Sequence, residues 1–235
     1  MIYAISDLHG YPLSKLLKLL EKVKFNNKDF LYVLGDVIDR CGDGGIETLE
    51  WMMLQPNVQQ IMGNHEAMLL SCTFLFDEIT DRNIEKLSAQ KMELYMNYIS
   101  NGGEVTLNSL KKLSAVNRHA VFDILDFIND APLYEAVSVN GRDFLLTHSG
   151  LDNFEKGKKL SQYEADDFLW ARPSPEDSYF EGIITVFGHT PTFCFGNEYS
   201  GKAFRTKTWI DIDAGVASGN SPILLRLDDL KEFIL

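Results

Sequence analysis

The stretch Phe30-Leu31-Tyr32-Val33-Leu34-Gly35-Asp36-Val37-Ile38-Asp39-Arg40 joins a short apolar run to a charged end. Its first five residues are apolar and partly β-branched, which predicts a buried strand closed by Gly35. Asp36, Asp39 and Arg40 would then follow the carboxyl end of that strand, and ligands of open α/β sheets bind at this edge. Taken alone, residues 35–40 fit a solvated turn with a salt bridge equally well.

The same order of strand, polar loop and helix occurs three times in the first part of the chain. Residues 2–6 lead into Asp7-Leu8-His9-Gly10, residues 30–34 into the loop quoted above, and residues 58–62 into Gly63-Asn64-His65-Glu66. Helices are predicted from Pro12 and over residues 46–54. This alternation predicts a parallel βαβ core in which all three polar loops emerge at one edge.

The remaining chain first turns helical and then returns to strands. Helical spacing over residues 84–99, 104–115 and 119–128 predicts a helical cap (about residues 67–130) within a single domain spanning residues 1–235. Residues 133–139 and 142–147 flank Asn140-Gly141, which predicts a hairpin with a type I′ turn. Further along, the sequence predicts a helix over residues 163–169, a strand over 183–187, and closing antiparallel strands over 208–213 and 222–227.

The charge balance and the cysteines restrict the function and the compartment. The net charge is −12, which opposes binding to nucleic acid or to anionic membranes, because both depend on Lys and Arg. Three cysteines, Cys41, Cys72 and Cys194, lie far apart and suggest neither a disulfide framework nor a thiolate zinc site. No apolar stretch approaches the length of a membrane span. We therefore expect a cytoplasmic protein.

Four of the five histidines follow strand-like runs: His9, His65, His148 and His189. Only His119 lies in a helical pattern. A single histidine in such a place is usually structural. Four of them, together with Asp7, Asp36 and Asn64, form a nitrogen and oxygen set suited to Mn²⁺, Fe or Zn²⁺. These seven candidates suit two ions, with Asp36 as the natural bridge. Two ions about 3.5 to 4 Å apart can hold a shared hydroxide and clamp phosphoryl oxygens.

Further charged residues suggest how a phosphoester would be cleaved. His65 adjoins Asn64, so it lies where a leaving alkoxide would need a proton. Asp39 could accept a hydrogen bond from its other ring nitrogen. Arg40 and Arg172 are candidates to bind phosphate oxygens, because a guanidinium group can donate two parallel hydrogen bonds to them. Without the metals, a salt bridge and a solvated loop charge would explain the two arginines better.

Together these motifs resemble the phosphoprotein phosphatase family of metallophosphoesterases, in particular its small bacterial and phage members. The motifs are Asp7-x-His9-Gly10, Gly35-Asp36-x-x-Asp39-Arg40, Gly63-Asn64-His65-Glu66, Asn101-Gly102-Gly103, His148-x-Gly150, Trp170-x-Arg172, Gly188-His189-Thr190 and Ile212-Asp213-x-Gly215. The resemblance implies an α/β fold, a calcineurin-like β-sandwich of mixed sheets flanked by helices. It thereby replaces the purely parallel expectation.

The resemblance also implies the site. The first metal would be held by Asp7, His9 and Asp36, and the second by Asp36, Asn64, His148 and His189. His65 would be the general acid oriented by Asp39, and the substrate would be bound by Arg40, Arg172 and Asn64. The family pattern usually has glycine where Cys41 stands, which is a departure in the loop and not among the ligands.

The implied activity is that of a serine/threonine protein phosphatase acting on a phosphoprotein or phosphopeptide. A hydroxide held by two divalent ions, with Mn²⁺ expected and Fe or Zn²⁺ as alternatives, would attack phosphorus in line. Related bacterial hydrolases act on diadenosine tetraphosphate with the same scaffold. Glu66 and Asp39 favour the phosphatase over that alternative. A non-catalytic scaffold that binds a partner protein is a third reading, disfavoured because every expected ligand is present.

Overall fold

The computed structural model describes residues 1–77 and 88–235, and its strands form two five-stranded sheets. The strands are β1 (Ile2–Ile5), β2 (Phe30–Val33), β3 (Val58–Gln60), β4 (Tyr134–Val139), β5 (Arg142–Thr147), β6 (Ile183–Phe187), β7 (Phe204–Arg205), β8 (Trp209–Asp211), β9 (Leu224–Arg226) and β10 (Lys231–Phe233). The α-helices are α1 (Leu13–Lys22), α2 (Ile46–Met53), α3 (Asn64–Ser71), α4 (Ala89–Ser100), α5 (Glu104–Val116), α6 (Arg118–Asn129) and α7 (Ala165–Leu169).

The first sheet has the strand order β10-β9-β1-β2-β3. Strand β2 pairs in parallel with β1 on one side and with β3 on the other. The predicted βαβ core is therefore confirmed in this sheet. The antiparallel strands β9 and β10 extend it on the far side of β1.

The second sheet has the order β4-β5-β6-β8-β7. Its hairpin β4–β5 turns at Asn140 and Gly141, with φ angles of 52° and 76°, which confirms the predicted turn. The sequence also predicted that strands over residues 208–213 and 222–227 close the structure side by side, and this prediction is wrong. Strand β8 pairs in parallel with β6, whereas β9 pairs antiparallel with β1 in the other sheet. Local pattern identified both strands but could not specify their partners.

The core has three layers of apolar contact, which follow from the alternation of side chains along the strands. Ala4, Leu34, Phe144, Val186 and Leu225 are among the residues that pack the two sheets face to face. The opposite face of the first sheet is covered by helices, and its cluster includes Tyr3, Ile5, Leu16, Leu49, Leu107 and Ile124. An aromatic cluster that includes Phe168, Phe187 and Trp209 covers the outer face of the second sheet.

The predicted helical region is largely confirmed. Helices α5 and α6 lie where residues 104–115 and 119–128 predicted them, and α4 matches residues 89–99 of the first prediction. Residues 84–87 of that prediction lie outside the described residues. The helix expected over 163–169 is shorter, Ala165–Leu169, and a 3₁₀ turn, Leu160–Gln162, precedes it. The described helices include none that is long and apolar enough to cross a membrane.

The loop predicted at residues 63–66 is another correction. Asn64, His65 and Glu66 form the first turn of α3, and the extended Gly63 is its N-cap. Glu66 at the third helical position suits the positive end of the helix dipole. The helix gives Asn64 and His65 a more rigid support than the predicted loop would.

Candidate active site

The polar residues after four strands and at the start of α3 meet at one edge of the β-sandwich. Those that are buried there are Asp7, His9, Asp36, Asp39, Asn64, His65, Glu66, His148 and His189. Both sheets contribute, because Asp7 and Asp36 follow β1 and β2, whereas His148 and His189 follow β5 and β6. The structure therefore brings together the metal-ligand candidates that the sequence predicts. His119 lies exposed on α6.

Several residues of this edge have left-handed backbone angles, which residues other than glycine rarely adopt. They are Asp7 (φ 52°), His9 (44°), Asp36 (53°), Asp39 (76°), Arg40 (67°) and His189 (69°). Such residues concentrate where surrounding contacts hold them in place for function. Here the His9 N–H donates to Asp36 O at 2.9 Å, and the His189 N–H donates to Asp7 Oδ2 at 2.9 Å. These bonds tie neighbouring loops to one another.

One candidate metal group contains His148, His189 and Asn64. Nδ1 of His148 lies 2.8 Å from Leu34 O, which can only accept, so this nitrogen carries the ring proton. Nε2 of His148 therefore presents a lone pair, yet it lies 2.8 Å from Asn64 Oδ1 and 3.2 Å from Nδ1 of His189. Nε2 of His189 is buried without a partner among the described residues. Nε2 of His148 and Oδ1 of Asn64 are thus acceptors that face each other, which is unfavourable without a positive charge between them. A cation would supply that charge, so these residues fit a metal ion.

The other candidate metal group contains Asp7 and His9. Nδ1 of His9 lies 3.0 Å from Ile38 O, so Nε2 again presents a lone pair. This atom is 3.9 Å from Asp7 Oδ1 and 3.6 Å from Asp36 Oδ2. The other oxygen of Asp36, Oδ1, lies 3.4 Å from Nε2 of His148. Asp36 thus faces both groups, as a bridging ligand would.

Burial sets the protonation of the candidate ligands. Burial lowers the pKa of His9 to about 3 and that of His189 to about 2, and it also lowers the pKa of His148. The neutral imidazole is the form that binds metal. Burial, and then the charge of Asp7, raise the pKa of Asp36 well above its ordinary value. A carboxylate in this position needs positive charge nearby, which a divalent ion would supply.

His65 and Asp39 form a buried pair beside the metal groups. Nδ1 of His65 lies 2.7 Å from Asp39 Oδ2, and Nε2 lies 3.8 Å from Asp36 Oδ2. Nη2 of Arg40 also lies 3.0 Å from Nε2. Burial, and then the Arg40 charge, lower the pKa of His65 to about 3. Burial raises the pKa of Asp39 to about 6, although the hydrogen bonds that its carboxylate accepts act to lower this pKa.

Both candidate phosphate-binding arginines lie at the exposed side of this cluster. Arg40 follows Asp39 directly and is exposed. Arg172 is also exposed, and its Nη1 donates to Thr190 Oγ1 at 3.2 Å, next to His189. Arg40 thus contacts His65, and Arg172 contacts the residue that follows His189; their binding of phosphate stays a prediction.

Three residues with contacts to the site were not predicted from the sequence as site residues. The two carboxylate oxygens of Glu66 accept the backbone N–H groups of Asp36 and Val37, each at 2.8 Å. Tyr98 and Thr106 donate to Asp39. An acid directly after Asn64-His65 was the available signal for Glu66. The two hydroxyl residues sit in ordinary helical patterns, which gave no signal.

A mixed β-sandwich with two buried groups of candidate nitrogen and oxygen ligands suits metal-dependent hydrolysis. The chain belongs to the calcineurin-like phosphoesterase family, whose model matches residues 1–215. Over 223 residues it is 28% identical to serine/threonine-protein phosphatase 2 of Salmonella typhimurium, covering 93% of this chain and 89% of that protein. The protein is thus a calcineurin-like metallophosphoesterase.

Another relative gives a shorter match. The chain is 39% identical over 83 residues to the symmetrical bis(5'-nucleosyl)-tetraphosphatase of Actinobacillus succinogenes, covering 34% of this chain and 30% of that enzyme. A solved structure described as a candidate diadenosine tetraphosphatase superposes with a TM-score of 0.63 at 15% identity, covering 100% of this chain and 92% of that one. This last likeness concerns the fold.

Proposed function

We propose that this metallophosphoesterase is a serine/threonine protein phosphatase that hydrolyses phosphoserine or phosphothreonine in proteins or peptides. The observation that carries the proposal is the His65–Asp39 pair, joined at 2.7 Å and lying beside both candidate metal groups. A buried imidazole at this place suits protonation of an alkoxide leaving group. The long match to the Salmonella typhimurium phosphatase supports the choice of substrate.

Two divalent ions belong to this proposal. Asp7, His9 and Asp36 would hold one ion, and Asp36, Asn64, His148 and His189 the other. When bound, such ions supply a water nucleophile that is active at neutral pH and positive charge for phosphoryl oxygens. We propose Mn²⁺, with Fe or Zn²⁺ as alternatives, because the donors are nitrogen and oxygen atoms.

The chain's own residues then bind phosphate and move one proton. Arg40 and Arg172 bind the phosphoryl oxygens through their guanidinium forks, and Asn64 lines the same position. Since Arg40 blocks Nε2 of His65 in the present arrangement, its exposed side chain has to turn onto the phosphate. Nε2 is then free to carry a proton. As the bond from phosphorus to the serine or threonine oxygen breaks, that proton passes from Nε2 to the oxygen.

A second candidate substrate is a dinucleoside polyphosphate. The observation that favours it is the 39% identity over 83 residues to the symmetrical tetraphosphatase. The metal groups and the arginines would serve this substrate equally well. Its leaving group is a phosphate oxygen, which needs a proton less than an alkoxide does. A dinucleoside substrate would therefore depend less on His65.

The test compares the two substrates on one protein. Metal-stripped protein is assayed with and without Mn²⁺ on a phosphothreonine peptide and on diadenosine tetraphosphate. Preferred phosphate release from the peptide, dependent on Mn²⁺, is the expected result. Preference for the dinucleotide would replace the proposed substrate. Tight metal binding without turnover of either would favour the non-catalytic scaffold.

A matched pair of histidine variants controls this assay. His65→Asn is expected to lower peptide hydrolysis by roughly a hundredfold, within the usual range for general acid catalysis. His119→Asn changes the same residue type on the exposed face of α6 and is expected to leave the rate unchanged. Equal activity of both variants would remove His65 from the mechanism.

We also propose that residues 1–235 fold as one domain and work in the cytoplasm. Cys41, Cys72 and Cys194 are all free thiols, which suits a reducing compartment. Limited proteolysis tests the first part, since a single domain gives no stable fragment. Fractionation of the source cells tests the second.

A further inference from the structure

The Asp39 carboxylate is held on both of its oxygens. Oδ1 accepts the hydroxyls of Tyr98 at 2.7 Å and of Thr106 at 2.6 Å. Oδ2 lies 2.7 Å from Nδ1 of His65. Asp39, Tyr98 and Thr106 are all fully buried. With three partners in a dry site, the carboxylate has no freedom to rotate about its side chain.

Thr106 also holds the backbone of the same loop. Its Oγ1 accepts the Asp39 N–H at 3.0 Å, so one side chain contacts both the main chain and the carboxylate of Asp39. The next N–H, that of Arg40, donates to Gly102 O at 3.1 Å. Asp39 and Arg40 both have left-handed φ angles, 76° and 67°. Residues of the α4–α5 segment thus stabilise a backbone conformation that the loop disfavours on its own.

Small residues permit this close approach. A Cβ atom on Gly103 would lie 2.5 Å from the Tyr98 ring, and one on Gly44 would lie 2.6 Å from Thr106 Cα. Two glycines of the Asn101-Gly102-Gly103 motif therefore have a structural reason, since Gly102 lies against Arg40 of this loop and Gly103 leaves room for the Tyr98 ring. The helical region closes around the loop that carries Asp39.

We propose that Tyr98 and Thr106 are positioning residues, which fix the Asp39 carboxylate and through it the His65 imidazole for proton transfer to the leaving group. This inference rests on the proposed role of His65 as the proton donor. Both hydroxyls act through Asp39. The α4–α5 segment therefore takes part in the reaction by holding the acid.

The loss of rate on changing Tyr98 or Thr106 should depend on the leaving group of the substrate. During cleavage the Nε2 proton moves to the departing oxygen, while the Nδ1 proton stays in the bond to Asp39. If Asp39 turns, the ring turns with it, and Nε2 leaves the line to that oxygen. A threonine alkoxide is a poor leaving group that needs the proton. A p-nitrophenolate is stable as an anion and needs it far less.

The experiment compares variants of Mn²⁺-loaded protein on a phosphothreonine peptide and on p-nitrophenyl phosphate. Tyr98→Phe and Thr106→Val are each expected to lower kcat on the peptide by roughly tenfold to a hundredfold, with KM unchanged and less than about a threefold change on p-nitrophenyl phosphate. Thr106→Ser keeps the hydroxyl and is expected to restore the rate. Tyr95→Phe removes a hydroxyl from the same helix and is expected to leave both rates unchanged.

Equal losses on the two substrates, or a Thr106→Ser variant as slow as Thr106→Val, would overturn the proposal. His65→Asn separates this failure from failure of the proposed function. If His65→Asn depends on the leaving group while Tyr98→Phe and Thr106→Val do not, the acid role stands and the positioning role is wrong. If His65→Asn shows no such dependence, the acid role is wrong, and the positioning role with it.

A spectroscopic readout does not depend on turnover. In Zn²⁺-loaded protein the His65 Nδ1 proton, bonded to buried Asp39, is expected to give a low-field proton resonance, identified by its loss in His65→Asn. We expect this resonance to shift or to disappear in Tyr98→Phe and in Thr106→Val, and to persist in Tyr95→Phe. An unchanged resonance in both of the first two variants would overturn the positioning role.

Discussion

Oε2 of Glu66 accepts the backbone N–H of Asp36 at 2.8 Å, so a side chain on α3 fixes the central candidate ligand through its main chain. Oε1 accepts the next N–H, that of Val37, at the same distance. Both oxygens of Glu66 therefore hold the loop that follows β2. The position of Asp36 depends on a residue that contributes no ligand atom itself.

This relationship predicts the effect of Glu66→Gln. The new amide group can accept only one of the two N–H groups and faces the other with its own N–H. We expect a loss of stability of about 1 to 3 kcal/mol, the cost of a buried group without a partner, together with weaker metal binding. Denaturant unfolding and calorimetric Mn²⁺ titration measure the two effects. Glu50→Gln, an exposed change on α2, is the control, and wild-type Mn²⁺ affinity in Glu66→Gln would contradict the argument.

Metal stoichiometry tests the two ligand groups separately. We expect two ions per chain in the Mn²⁺-saturated protein. His189→Ala and His9→Ala remove one ligand from different groups, so each is expected to weaken the binding of one ion. Elemental analysis after dialysis against limiting Mn²⁺ gives the counts, and His119→Ala is the matched control. Binding of a single ion by the unaltered chain would be incompatible with the two-ion arrangement.

Gly63→Ala tests how closely the start of α3 approaches Asp36. A Cβ atom at this position would lie 2.4 Å from Asp36 N and 2.4 Å from Glu66 Oε2. Its φ of −101° suits alanine, so the expected cost, about 1 to 3 kcal/mol, arises from collision alone. Mn²⁺ affinity is expected to fall as well.

The control for this substitution is Gly141→Ala in the β4–β5 hairpin. No atom lies within 4 Å of the added Cβ among the described residues, but the φ of +76° disfavours alanine. We expect it to destabilise the protein by about 1 kcal/mol with unchanged Mn²⁺ affinity. A Gly63→Ala protein that binds Mn²⁺ as well as Gly141→Ala does would show that the contact is tolerated.

Asp211 predicts a pH dependence of stability. Burial, and then the charge of Asp213, raise the pKa of this carboxyl well above its ordinary 3.8. The folded protein therefore binds this proton more tightly than the unfolded chain does. The free energy of unfolding is expected to fall as the pH rises from about 4 through the raised pKa, because the proton must be lost from a buried group.

The test of this pH dependence is Asp211→Asn. A protonated carboxyl group and an amide group are both neutral and have nearly the same size and shape. The variant and the wild type should therefore match in stability near pH 4. At pH 8 the variant should be more stable than the wild type, because it has no buried carboxyl that must lose a proton. Denaturant unfolding across this range measures the difference. Asp123→Asn makes the same charge change on an exposed face of α6, and an equal gain there would assign the effect to net charge.

The sequence predicted the parts of the fold and the site that local pattern encodes. Short apolar runs before Asp7, Asp36 and His148 identified the strands, and polar residues at strand ends identified the candidate ligands. The first rests on the burial of strand residues, and the second on the rule that parallel strands of one sheet end at a common edge. Asn140-Gly141 identified the hairpin because its turn needs positive φ angles.

The remainder depends on contacts between distant segments. The partners of β8 and β9 are set by the packing of two sheets, which no local pattern specifies. Tyr98 reaches Asp39 across 59 residues and Thr106 across 67. In a helical pattern a buried tyrosine or threonine looks like any core residue, so the sequence alone could not separate these hydroxyls from packing.

The candidate ligands come from both sheets, and this has a consequence for how the protein should be handled. Asp7 and Asp36 follow strands of the first sheet, whereas His148 and His189 follow strands of the second. Ions bound between them would join the two halves of the sandwich, so their binding energy would add to the energy of folding. A chelating buffer would then act on this protein as a mild denaturant.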